Sequence, residues 1–134
     1  MTKASEKIIQ EWLRLARENL LFAASGLKKD FSPYHTVCFL CHGSAEKYLK
    51  AYLISQGWNL HKTHDLVQLC SLAIGFDQDF VQLKPSAVIL NDYIIIGRYP
   101  ADISFEPLTK SEAIEALDAA RNIADLVNTK LGIG

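Results

Sequence analysis

The sequence predicts an all-α protein: one domain spanning residues 1–134, built as an antiparallel bundle of five helices. Two patterns carry that prediction. Apolar residues recur every three or four positions through five separate stretches, and glycine, proline or a capping pair punctuates the chain between them. No stretch alternates apolar and polar residues long enough to argue a strand, and no repeat or low-complexity tract is visible.

The first helix is expected from about Ser5 to Ser25, with Ile8, Ile9, Trp12, Leu13, Leu15, Ala16, Leu20 and Ala23 at helical spacing and Gly26 as its stop. After the turn KKDFSP, Pro33 suits the first position of a second long helix behind a Ser32 N-cap. Its apolar stripe runs from Tyr34 and Val37 through Cys41, Ala45, Tyr48 and Leu49 to Leu53, ending at Gly57. Thr63 or His64 opens a third, shorter helix through Leu66, Leu69, Cys70 and Ala73 to Gly75. The fourth begins near Phe76 or Pro85 and ends at Arg98, because proline disfavours helical geometry in the residue before it, which forces Tyr99 out ahead of Pro100. Thr109, with Glu112 three residues on, forms a capping box ahead of the fifth helix through Ile114, Leu117, Ala120, Ile123 and Val127.

A chain of 134 residues, 49% hydrophobic and 22% charged with 7 Gly and 4 Pro, has the composition of one folded domain with one core. The net charge of −1 gives no global field to draw in a polyanion, so a nucleic-acid contact would need a local patch. Residues 1–67 carry +3 and residues 68–134 carry −4, halves that are expected to pair within the domain. The start MTKASEK has no apolar stretch after its lysine and nowhere are there enough consecutive apolar residues to span a bilayer. A cytoplasmic protein is expected. Its three cysteines are expected to be reduced.

Residues 38–42, CFLCH, match the pattern of covalent haem attachment, but Cys41 falls on the apolar face of a long helix, where a buried thiol is expected instead. His61, His64 and Cys70 lack a fourth partner at zinc-site spacing, so no metal and no cofactor are expected. His42, Glu46 and Lys50 lie on one strip of the second helix at i, i+4 and i+8, with Lys47 beside them, and read either as a solvated face or as an anion-binding one. Arg98 complements the negative end of its helix, as a lysine would, and adds a rigid donor fork matched to phosphate or carboxylate; Tyr99 adds a ring and hydroxyl just beyond.

Three stretches together resemble the HEPN domain, a family of small helical domains in nucleotide-associated proteins: WLRLARENLLFA at 12–23, FLCHGSAEKYLKAYLISQG at 39–57 with HDLVQL at 64–69, and YIIIGRYP at 93–100. The resemblance implies a five-helix up-and-down bundle, a homodimer with the second and fourth helices bordering a cleft, and partnership with a minimal nucleotidyltransferase in toxin–antitoxin-like systems. Together with the charge chemistry of these residues, it leads to expected ligand-binding positions at Arg98, Tyr99, Lys47, Lys50, His42 and Glu46. Ribonucleases of the family carry a histidine a few residues after the matching arginine; here those positions are Ile103, Ser104 and Phe105, and no histidine follows His64. Without that acid–base group the expectation is a non-catalytic module binding a nucleotide or another phosphate-bearing ligand. The alternative is a metal-independent ribonuclease toxin pairing Arg98 with His42 or His64, so RNA stays among the possible partners.

Overall fold

The computed structural model describes residues 3 to 98 and 107 to 133, without the side chains of residues 4 and 95 to 98. Five α-helices follow one another: α1 Lys3–Gly26, α2 Tyr34–Ser55, α3 Leu66–Phe76, α4 Lys84–Arg98 and α5 Lys110–Lys130. They form an all-α bundle with α2 at its centre, packed against each of the other four helices. No strand occurs among the described residues, and no helix there is long and apolar enough to cross a membrane.

The boundaries mostly follow the local chemistry. Asp65 closes the N-terminus of α3 by accepting from the amides of Val67 and Gln68, and Thr109 and Glu112 form the expected capping box of α5. At the end of α2, Gly57 takes φ 88°, and the amides of Gly57 and Trp58 return to the carbonyls of Ile54 and Leu53. That closure needs the left-handed conformation glycine supplies cheaply.

Three expectations are corrected. Ser32 is not the cap of α2: it has φ 58°, and Pro33 occupies the cap position with no side-chain bond. Neither Thr63 nor His64 opens α3, because Asp65 is the better cap and the His64 side chain is drawn to Glu46 instead. Of the two starts expected for α4, Pro85 is one residue from the observed Lys84 and Phe76 is not, because residues 78 to 83 wind as a 3₁₀ helix anchored by Asp77, which places Phe80 in the core.

The core is filled by Leu49, Leu53, Leu66, Leu69, Phe80, Leu90, Ile123 and Val127, with Tyr52 and Phe80 at 4.4 Å between ring centroids. Cys38, Cys41 and Cys70 are buried, and desolvation pushes Cys38 and Cys41 up to about 12, so both act as small apolar fillers. Lys130 ties the end of α5 to Asp77 at 2.9 Å and to Asp79. Ser44 donates to the Ala16 carbonyl at 2.8 Å, locking α1 close against α2.

Candidate ligand-binding cleft

The central position of α2 overturns the solvated-face reading of its polar strip. His42 is 7% exposed, Glu46 9% and Lys50 4%. Polar groups taken out of water need partners, and α2 itself, α1, α4 and the segment ahead of α3 supply them.

Glu46 is the junction. One carboxylate oxygen accepts from Lys50 Nζ at 2.9 Å and the other from His64 Nδ1 at 2.8 Å. Burial alone would raise its pKa; the hydrogen bonds from Lys50 and His64 outweigh that and hold the carboxyl below its ordinary 4.5, so it is ionised at neutral pH. Lys50 also stands 5.6 Å from the centroid of the Trp12 ring on α1. An ionised carboxylate only accepts, so Nδ1 of His64 must carry a proton. The His64 side chain is 77% exposed, and its Nε2 has no partner among the described residues.

Asn91 of α4 is a second junction. Its Oδ1 accepts from the Leu66 amide at 3.1 Å, and its Nδ2 donates to Asp65 Oδ1 at 2.8 Å. Those two partners fix which way the amide points, so His42 Nε2, 3.3 Å from the same Oδ1, is a donor. Desolvation lowers the His42 pKa from its ordinary 6.5 despite that bond, which keeps the imidazole neutral at pH 7. One side-chain amide therefore joins α2, the start of α3 and α4.

Beside these networks lies a cleft of about 580 Å³, within the size range of small-molecule sites. One wall is α2, from Phe39 through Gly43 to Lys47; Asn19 of α1, His64 and Asp65 ahead of α3, and Asn91 and Ile94 of α4 complete it. Half-buried Lys47 donates to Asn19 Oδ1 at 2.8 Å and reaches the Gly43 carbonyl at 3.5 Å. Gly43 matters for that contact: a β-carbon there would come within 3.2 Å of Asn19 Oδ1 and 3.4 Å of Lys47 Nζ.

Three expected site residues, His42, Glu46 and Lys47, thus line one cleft. Lys50 does not; it stands behind Glu46 as its buried counter-ion. Arg98 is the last residue of α4, four residues past Ile94, and since α4 runs antiparallel to α2 its backbone lies toward the Phe39 end of the cleft, away from Lys47. The Arg98 side chain and all of Tyr99 lie outside the described residues. Sequence reasoning missed Asn19, Asp65 and Asn91. Asn91 had a usable signal, a polar residue directly after the buried Leu90 on an apolar helix, whereas Asn19 had none.

A bundle centred on one helix, with a polar-lined cleft between its second and fourth helices, defines a class of small helical domains. The model of the HEPN domain family matches residues 9–130, and the chain belongs to that family. Among solved structures it is similar to TT1696 from Thermus thermophilus, at 29% identity and a TM-score of 0.73, covering 91% of this chain and 97% of that one. It also shares its fold with ST0689, described as an archaeal HEPN homologue, at 22% identity and a TM-score of 0.70, covering 91% of this chain and 96% of that one. No curated protein matches the chain.

Proposed function

We propose that this domain is a non-catalytic HEPN-type binding module that holds a nucleotide or another phosphate-bearing ligand in the α2–α4 cleft. It works as a homodimer alongside a minimal nucleotidyltransferase in a toxin–antitoxin-like system. The observation that carries the ligand reading is the state of Lys47. Glu46 is offset by Lys50 and His64, and Asp65 is occupied by backbone amides and Asn91, but the direct partners of Lys47 are an amide oxygen and a carbonyl. Among the described residues this half-buried ammonium hydrogen-bonds only to neutral groups, and the nearby Glu46 charge is already held by Lys50 and His64, so Lys47 is left for an anion.

Lys47→Gln is expected to weaken ATP binding tenfold or more by calorimetry while changing the melting temperature little, since a charge-assisted hydrogen bond is worth about 1.5–3 kcal/mol. Arg98→Ala tests whether the end of α4 contributes to the same site. Wild-type affinity in folded Lys47→Gln would remove the reading.

One observation favours a second reading. His64, oriented by a buried carboxylate and with no partner on Nε2 among the described residues, has the geometry of a general base, which points to metal-independent RNA cleavage. His42, neutral and tied to Asn91, does not. Cleavage of a structured RNA in the presence of a chelator, abolished in His64→Asn, would put this reading first; an inactive wild type eliminates it.

A further inference from the structure

The cleft is polar at one end and apolar at the other, and α2 sets both ends. Phe39, Gly43 and Lys47 follow one another at i, i+4 and i+8 on the same strip of the helix. At 1.5 Å per residue, Phe39 and Lys47 are about 12 Å apart along the axis. At the Lys47 end stand Asn19 and His64; at the Phe39 end stand Leu40 and Ile94. Phe39 itself is 52% exposed, although it belongs to the most buried helix of the bundle. Between the two ends Gly43 carries no side chain, which lets Asn19 Oδ1 and Lys47 Nζ close over the helix at that point.

A site for a bare anion needs only the Lys47 end. An exposed aromatic ring on the same wall, about two helical turns from the cation, instead matches a ligand with a flat π-face at one end and a phosphate at the other. Every nucleobase has such a face, and stacking on an aromatic side chain is sequence-tolerant binding of the kind nucleotide sites use. We infer that Phe39 is the base-stacking residue of this cleft and that Lys47 takes the phosphates, so the ligand class is a nucleoside phosphate. This rests on the phosphate-binding reading above and adds the base. Stacking on Phe39 does not by itself tell one base from another, so discrimination between adenine and guanine by this contact is weak.

The test compares ATP, GTP and tripolyphosphate, the last carrying the phosphate chain without sugar or base, by calorimetry on wild type, Phe39→Ala and Phe39→Trp, each checked for folding and for oligomeric state. The wild type is expected to bind ATP and GTP similarly and both at least tenfold more tightly than tripolyphosphate. Phe39→Ala should lower nucleotide affinity about tenfold or more, toward that of tripolyphosphate, and leave tripolyphosphate unchanged, while Phe39→Trp retains nucleotide binding. Equal wild-type affinity for nucleotides and tripolyphosphate, or a Phe39→Ala loss shared equally by both, would overturn the stacking inference and leave the anion site standing. A Phe39→Ala effect that tracks a change in oligomeric state would overturn it too, by making Phe39 an interface residue. No binding of any of the three would remove the anion site, and the stacking inference with it.

Discussion

Glu46→Ala is expected to cost about 3–5 kcal/mol, because it leaves the Lys50 ammonium buried with no counter-charge. In a domain of this size that corresponds to a fall in melting temperature of about 10 °C or more. The Trp12 ring beneath Lys50 offsets only a small part. The double variant Glu46→Leu/Lys50→Met should recover most of the loss, since replacing both members of a buried pair by apolar groups is often neutral. A loss under about 1 kcal/mol in Glu46→Ala would mean that water already reaches the pair and that the junction is not structural.

The same groups set an acid limit. His42 has its pKa lowered in the fold, so the stability it contributes is fully present above about pH 6.5 and is lost as the pH falls through its folded value. The depressed Glu46 carboxyl contributes in the same direction, fully above about pH 4.5 and lost below. Thermal melts across this range should show two stages of weakening. His42→Gln, which keeps an amide donor for Asn91 but does not titrate, should flatten the upper one. An unchanged profile in that variant would assign the upper stage to another group.

Phe80→Ala is the second large effect, about 3–5 kcal/mol of lost stability. The ring is fully buried against Tyr52, on a 3₁₀ segment whose short turns give it little freedom to collapse into the vacated space. Its backbone carbonyl also accepts from Cys70 Sγ at 3.5 Å, so the segment is pinned to α3. Chemical denaturation should show the loss at unchanged m-value. A cost below about 1.5 kcal/mol would show that the segment repacks freely.

The helices were legible because their signals are local. Periodicity, the Gly57 stop and the Thr109–Glu112 box each act within a few residues. The start of α3 was misplaced by one or two residues because Thr63, His64 and Asp65 are successive polar residues, and only the fold shows that His64 is engaged elsewhere. The polar strip of α2 was half legible. His42, Glu46 and Lys47 could be placed on one side of a helix, but not assigned to the interior. The clue was that Val37, Cys38, Leu53, Phe39, Ile54 and Leu40 put apolar groups on nearly every side of α2, as expected of a helix surrounded by others. The pairings Glu46 with His64 and His42 with Asn91 join residues 18 and 49 positions apart, and no sequence spacing encodes them.

The placement of α2 among four neighbours also governs how the molecule opens. A peripheral helix can detach in a partial unfolding event, whereas α2 cannot be exposed without separating most of the bundle. His42, Gly43, Glu46 and Lys47 lie along that helix, so the cleft wall is carried by the part of the chain most resistant to local fluctuation. A ligand there meets a surface already in place, and the ordering cost of binding falls on the exposed loop bearing His64 and on the ligand itself.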